Sequence, residues 1–298
     1  MNTLIRTCLF NSTRVFHGGY VAAQKQKILV ETNSGFSTAT SGMNLIKCIQ
    51  EDGVKNVILS HTKTRNSLSY DMITELANAL TENKDDPNLR AIVISAEGAV
   101  FSAGHNLKEL TAEMGIDHHK KVFRKCSELM MSIMESPVPI IAKVNGLAAA
   151  AGCQLVAACD ILVCSEKSSF STPGANFGIF CSTPGIAVGR CVPKSTAMHM
   201  LLTGIPLSAQ EAYISGLATK VVPEDQLDAE VNKICDAIKM KSRAVIALGK
   251  QFYYKQMSVN VKEAYSLGED RMVSNINLPD GQEGINSFAQ KRKPKWGH

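Results

Sequence analysis

Two short segments of the chain carry residue types that could stabilise a developing negative charge. One is Val100-Phe-Ser-Ala-Gly-His-Asn-Leu-Lys-Glu109, and the other is Val144-Asn-Gly-Leu-Ala-Ala-Ala-Ala-Gly-Cys-Gln-Leu155. Each reads as a strand, a loop of small residues and the start of a helix. A helix start leaves backbone N–H groups without intrahelical acceptors, and small side chains let a ligand reach them. Two such N–H groups aimed at one carbonyl oxygen would form an oxyanion hole. Either segment alone would equally suit a tight turn with close helix packing. The pair together is the more specific signal. The chain contains no G-x-x-x-x-G-K-[ST] loop, no G-x-S-x-G elbow and no H-E-x-x-H pair, which disfavours P-loop NTPases, ordinary α/β-hydrolases and zinc proteases.

The elements that must position these segments alternate between strand and helix. Strands are predicted over residues 54–60, 90–96, 138–144 and 160–165. Helix periodicity over 69–83 puts Met72, Ile73, Leu76, Ala79 and Leu80 on one face. After Phe170 the chain is rich in glycine and proline and reads as loop. Ser208 and Glu211 form a capping-box pattern opening a helix that Gly216 can end. From about Glu224 the pattern is helical, with Val231, Ile234, Cys235 and Ile238 spaced for one buried face. This alternation indicates an α/β fold.

Composition sets the frame. The chain has 298 residues, 45% of them hydrophobic and 20% charged, so it can bury a sizeable core and is not disordered as a whole. The formal charge of +5 is unevenly placed. Arg6, Arg14, Lys25 and Lys27 all precede the first acid, Glu31, among many hydroxyl residues. Residues 1–40 therefore read as a mitochondrial transit peptide and linker, and the matrix is the expected address. Beyond residue 30 the balance is 28 Lys+Arg against 27 Asp+Glu. No apolar stretch is long enough for a membrane span.

The nine cysteines make no C-x-x-C pair or metal-finger spacing. They read as free thiols of a reducing compartment, with Cys153 and Cys181 as the two that a helix N-terminus could make nucleophilic. No metal is expected. His118 and His119 are adjacent, which suits a surface position better than a metal site.

Over about residues 45–298 the chain resembles the crotonase family, the enoyl-CoA hydratase/isomerases. The resemblance rests on Lys63-Thr-Arg-Asn-Ser-Leu68, Phe101-Ser-Ala-Gly-His-Asn-Leu-Lys-Glu-Leu110 and Pro139-Ile-Ile-Ala-Lys-Val-Asn-Gly146. It extends through Cys159-Asp-Ile161, Leu202-Thr-Gly204, Ser208-Ala-Gln-Glu-Ala212, Gly216-Leu217 and Asp280-Gly-Gln-Glu-Gly284. It implies an α/β crotonase-like spiral of ββα units over residues 41–222 and a helical C-terminal trimerisation region over 223–298. It also implies assembly as a homotrimer or hexamer, and an acyl-CoA thioester as ligand, with coenzyme A part of that ligand and no separate cofactor. By position, the oxyanion donors would be the N–H groups of His105 and Ala151. Lys63, Arg65, Asn106, Leu107 and Lys108 would face coenzyme A. Phe288 and Lys291 would also contact it, in a neighbouring subunit on one reading.

The same resemblance exposes a departure. A hydratase of this family uses two glutamates to position and activate one water. Those positions are Gln154 and Gly174 here, and a third acid position used by related isomerases falls on Ser182. An amide accepts no proton at useful pH and glycine offers no group. Replacing both positions with glutamate is the direct test of whether only the acids are missing. Three functions remain open. One is an acyl-CoA binder in fatty-acid metabolism without ordinary hydratase activity. Another is an oxyanion-hole enzyme that needs no carboxylate base, such as a malonyl-type-CoA decarboxylase or a thioesterase. Phe101 to His105 is similar to bacterial methylmalonyl-CoA decarboxylase, although that enzyme's tyrosine falls near Cys181. The third is RNA binding, known for one family member, through Lys239, Lys241 and Arg243 or through Lys291 to Lys295 with Trp296.

Overall fold

The structure, a computed structural model, describes residues 44–297. The transit-peptide reading of residues 1–40 lies outside the described residues. Strands β1 (Ile46–Glu51) and β2 (Val54–Leu59) form a hairpin that leads to helix α1 (Tyr70–Thr81). The chain continues through β3 (Ala91–Ala96), β4 (Val100–Ser102), α2 (Gly115–Glu135), β5 (Ile140–Val144), β6 (Leu147–Ala149) and α3 (Ala151–Ala158). Next come β7 (Ile161–Ser165), β8 (Ser169–Ser171), α4 (Ser182–Cys191), α5 (Lys194–Thr203), β9 (Leu207–Ser208), α6 (Ala209–Ile214) and β10 (Lys220–Val222). The chain ends in α7 (Leu227–Lys239), α8 (Arg243–Gln256), α9 (Val261–Ile276) and α10 (Pro279–Ala289).

A long strand, a short strand and a helix recur three times: β3-β4-α2, β5-β6-α3 and β7-β8-α4. Each long strand joins a six-stranded sheet of order β1-β2-β3-β5-β7-β10, and each short strand joins a second sheet of order β4-β6-β8-β9. The ladders that join successive repeats are parallel. This is the spiral of ββα units that the resemblance implied. The inner strands β3, β5 and β7 of the large sheet are buried on both faces, with side chains alternating by the period of two. Along β3, Ile92 and Ile94 enter the main core with α1, α2 and α3. Ala91 and Val93 face the opposite way, onto Leu227, Val231 and Cys235 of α7. Ile234 and Ile238 pack against the same cluster, so the predicted α7 face is the buried one. Among the described residues no helix is long and apolar enough to cross a membrane.

Local signals account for several boundaries. The Ser69 hydroxyl accepts the Met72 N–H at 3.1 Å and caps α1. The capping box is present: Ser208 Oγ accepts the Glu211 N–H at 3.2 Å, and Glu211 Oε2 accepts the Ser208 N–H at 2.8 Å. Ser208→Ala is expected to cost about 1 kcal/mol, readable as a lower urea midpoint. The glycine- and proline-rich stretch is less open than its composition suggests. It contains α4, because Pro184 lies in the first turn, where its missing N–H costs no intrahelical bond. His118 and His119 are half-buried rather than on the surface. His119 Nε2 meets Thr111 O at 3.0 Å, and the His118 ring lies 6.4 Å from that of Tyr70. Strand β1 escapes sequence reading because five of its six residues are exposed and show no alternation.

Helix α8 is tied to this body by a buried polar cluster. The Lys250 ammonium donates to Ile133 O (2.8 Å), Val138 O (3.1 Å) and Asp160 Oδ2 (2.6 Å). Asp160 also accepts the Ile140 N–H at 2.7 Å and the Tyr254 hydroxyl at 2.9 Å. Burial lowers the Lys250 pKa despite its ion pair, and burial raises that of Tyr254.

Candidate functional site

The two segments singled out in the sequence meet in space. Gly104 has φ +89°, and a Cβ built on it would lie 2.8 Å from Ala150 Cβ, 2.9 Å from Ala149 O and 3.3 Å from the Ala151 nitrogen. Only glycine allows both that conformation and that approach. Ala150 is strained, with φ 48° and ψ −116°, a region that costs a non-glycine residue on the order of 1–3 kcal/mol. It is held there by its N–H on Ser171 O and by its carbonyl accepting the Gln154 N–H, both at 2.9 Å. The strain turns the chain so that α3 starts at Ala151, whose N–H therefore has no intrahelical acceptor.

His105 bridges Leu68 in parallel fashion. The Leu68 N–H donates to Gly104 O at 2.7 Å, and the Asn106 N–H donates to Leu68 O at 3.4 Å. In that pattern the N–H of His105 itself points away from Leu68. The donors of His105 and Ala151 thus belong to two backbones in van der Waals contact. The imidazole is packed edge-on against Phe123 at 5.1 Å, and its Nδ1 lies 3.3 Å from Leu68 O. Burial holds its pKa below the ordinary histidine value, so the ring is neutral at pH 7.

The residues expected to face coenzyme A stand on adjoining loops. The Ala103 N–H donates to Arg65 O at 3.0 Å, which ties the Lys63–Asn66 loop to the His105 loop. Arg65 and Asn66 are both left-handed, with φ 55° and 51°. The buried Asn66 amide donates to Glu97 O and Val100 O, each at 2.9 Å. Asn106 caps the turn that follows: its Oδ1 accepts the Lys108 N–H at 3.3 Å. Its Nδ2 donates to Glu109, which in turn accepts the Tyr70 N–H. Lys63, Arg65, Leu107 and Lys108 are exposed, and among the described residues none of the three cations has an ion-pair partner. Phe288 ends α10 with 87% of its surface exposed, and Lys291 follows it. Among the described residues no hydrogen bond joins either to the His105–Ala151 turn.

The positions where the family pattern has acids are more constrained than their identities suggest. Gln154 is buried on α3, and its Oε1 has no partner in the chain. Gly174 lies in a tight turn in which the Ile179 N–H donates to Gly174 O at 2.9 Å. A Cβ at Gly174 would sit 2.1 Å from Ile179 O and 2.7 Å from Cys181 Sγ. No side chain fits there unless the turn opens, so replacing both positions with glutamate tests the turn at Gly174 as well as the missing acids. Ser182 is exposed at the start of α4. Cys153 is buried and its pKa is pushed up to about 12, chiefly by desolvation. Burial likewise raises that of Cys181, although its sulfur accepts the Gly174 N–H at 3.3 Å. Both thiols stay protonated at neutral pH, which removes the basis for reading either as an activated nucleophile.

Part of the set of residues considered for nucleic acid is engaged in internal contacts. Lys239 pairs with Asp52 and Asp236. Arg243 donates to Leu89 O and Lys84 O, and Trp296 Nε1 donates to Met240 O. Sequence reasoning did not reveal the strain at Ala150 or the closure around Gly174. The strain at Ala150 depends on its bond to Ser171, on a later strand, whereas Gly174 is closed by Ile179 and Cys181 of its own loop, whose conformation no residue pattern there encodes.

Known proteins share this fold. The enoyl-CoA hydratase/isomerase family profile matches residues 50–298. The chain is 49% identical over 294 residues to the mitochondrial enoyl-CoA hydratase domain-containing protein 3 of Xenopus laevis, covering 99% of each chain. It is 55% identical over 249 residues to the human protein of that name, covering 84% of this chain and 82% of the human one. A crystal structure of human enoyl coenzyme A hydratase domain-containing protein 3 superimposes with a TM-score of 0.83 at 54% identity, covering 85% of this chain and all of that one. An enoyl-CoA hydratase structure from Mycobacterium smegmatis gives 0.83 at 38% identity, covering 86% and 100%. With its ββα spiral and a family profile that matches residues 50–298, the chain is a member of the enoyl-CoA hydratase/isomerase family.

Proposed function

We propose that the protein binds an acyl-CoA thioester at the His105–Ala151 turn and serves fatty-acid metabolism in the mitochondrial matrix, without ordinary enoyl-CoA hydration. The approach of Gly104 to Ala151 supports this reading, because it sets the two turns that carry the His105 and Ala151 N–H groups side by side. A thioester enolate or tetrahedral adduct carries its charge on one oxygen, and two fixed donors remove several kcal/mol from such a barrier. Lys63, Arg65 and Lys108 suit the phosphates of coenzyme A. Gln154 and Gly174 leave no carboxylate to activate water. The word mitochondrial in the relatives' names and the acid-free leader support the address. Exposed Val261, Tyr265 and Phe288 on the C-terminal helices support assembly as a homotrimer or hexamer.

A second reading is favoured by the same pairing of intact donors with absent acids. Decarboxylation of a malonyl-type CoA needs no base, since departing carbon dioxide leaves the enolate directly. Thioester hydrolysis is the looser variant. Incubation with a panel of acyl-, enoyl- and malonyl-CoAs, with products read by mass spectrometry and binding by calorimetry, separates these. The expected result is CoA-ester binding with crotonyl-CoA unchanged. Hydration at the rates normal for the family would refute the mechanistic part, and failure to bind any ester would refute the whole. Loss of carbon dioxide from malonyl-type esters would select the second reading.

A further inference from the structure

The turn that carries the His105 N–H is held unequally on its two sides. Before His105 the bonds are short: the Leu68 N–H donates to Gly104 O at 2.7 Å, and the Ala103 N–H donates to Arg65 O at 3.0 Å. After it, the Asn106 N–H reaches Leu68 O only at 3.4 Å, beyond the usual span of such a bond. A side-chain relay secures this second side. Asn106 Oδ1 accepts the Lys108 N–H at 3.3 Å, and Asn106 Nδ2 donates to Glu109 Oε1 at 3.2 Å. The other oxygen, Glu109 Oε2, accepts the Tyr70 N–H at 2.8 Å. Tyr70 is the first residue of the 12-residue helix α1. Its N–H has no intrahelical acceptor, and the helix dipole favours an anion there.

The relay requires a carboxylate at this position. Both partners of Glu109 are donors, and a carboxylate accepts through two oxygens, whereas an amide has only one. The Asn106 amide cannot turn round to suit an amide at 109, because its nitrogen would then face the Lys108 N–H. We propose that Glu109 is a positioning residue of the acyl-CoA site: through Asn106 it fixes the turn so that the His105 N–H stays directed away from Leu68 and onto the thioester carbonyl. A donor acts only if it is already in place where the charge develops, and an error of about 1 Å in such a site can cost on the order of a hundredfold. Glu109 itself touches no ligand in this scheme. The proposal rests on the acyl-CoA reading above and adds what holds one of its two donors.

Calorimetry with butyryl-CoA and with S-butyl-coenzyme A, the thioether that lacks the carbonyl, tests this. The wild type should bind the thioester about tenfold or more tighter than the thioether. Glu109→Gln should bring that ratio to about threefold or less and leave the thioether affinity unchanged. Adding Asn106→Asp reverses the polarity of the relay, so that Asp accepts from Gln, and should restore the ratio. If Glu109→Gln does not fold, Asn106→Ala reads the same ratio, since a lost coenzyme A contact lowers both affinities alike. An unchanged ratio in Glu109→Gln would overturn the proposal, as would an equal fall for both ligands, which marks a structural role alone. Equal wild-type affinities for the two ligands would overturn it while leaving acyl-CoA binding intact. Binding of neither ligand would remove both this proposal and the reading beneath it.

Discussion

Gly174→Glu is expected to destabilise the protein by about 3 kcal/mol or more and to yield no hydratase activity, alone or combined with Gln154→Glu. The first added atom is the problem. A Cβ at this position would lie 2.1 Å from the carbonyl of Ile179, a backbone atom that is itself fixed by the Ile179 N–H bond to Gly174 O. Overpacking against movable side chains costs about 1–3 kcal/mol, and here a backbone turn must open. Gly174→Ala should therefore show most of the loss, which separates crowding from charge. Gln154→Glu alone adds no volume. It places a carboxyl among buried neighbours where desolvation favours its neutral form. Thermal or urea unfolding measures the first effect, and the change in crotonyl-CoA absorbance measures the second. A Gly174→Glu, Gln154→Glu protein that folds as well as the wild type and hydrates crotonyl-CoA would show that the turn is adaptable and the loss of the acids superficial.

The second large effect belongs to Asp160. Asp160→Ala should cost about 3–5 kcal/mol, the range for removing one partner of a buried ion pair. The variant leaves the Lys250 ammonium, 7% exposed, without its counter-charge, and it strands the Tyr254 hydroxyl and the Ile140 N–H. Lys250→Met should cost less, because its hydrocarbon chain still fills the space and only Asp160 is left charged. The Asp160→Leu, Lys250→Met double variant should recover part of the sum, since contacting residues are not additive. Lys143 and Asp228, an ion pair with Asp228 78% exposed, provide the control, with an expected loss under about 1 kcal/mol on Asp228→Ala. Urea midpoints read all four. The consequence extends beyond stability: α8 and α9 contain no fully buried residue, so this cluster is a principal anchor of the C-terminal helices that carry Phe288 and Lys291.

How much of this could be read from the residues depended on the range of the interaction. Helix α1 was legible because its apolar stripe and its Ser69 cap lie within one segment. The α7 face and the Ser208 capping box were legible for the same reason. The four long strands appeared as apolar runs within about two residues of their observed ends. The short strands β4, β6 and β8 did not, since three residues carry no periodicity and their pairing is decided by strands some 20 to 50 residues away in the chain. His118 and His119 were misplaced because adjacency on a helix constrains their directions, not what packs against them.

The sequence by itself determined the class of the protein: an α/β repeat, two turns able to offer backbone donors, and the absence of carboxylates where a hydratase of this family has them. Those are statements about residue types in local order, and local order is what a sequence records. Only the tertiary structure decided that the two turns touch through Gly104 and Ala150, and that Gly174 has no room for a side chain. The contact of the two turns depends on the distance between backbones far apart along the chain, and the closure at Gly174 on how its own loop folds back at Ile179. Ångström-scale contact, not residue identity, makes the missing acid at Gly174 a closed position instead of an open substitution.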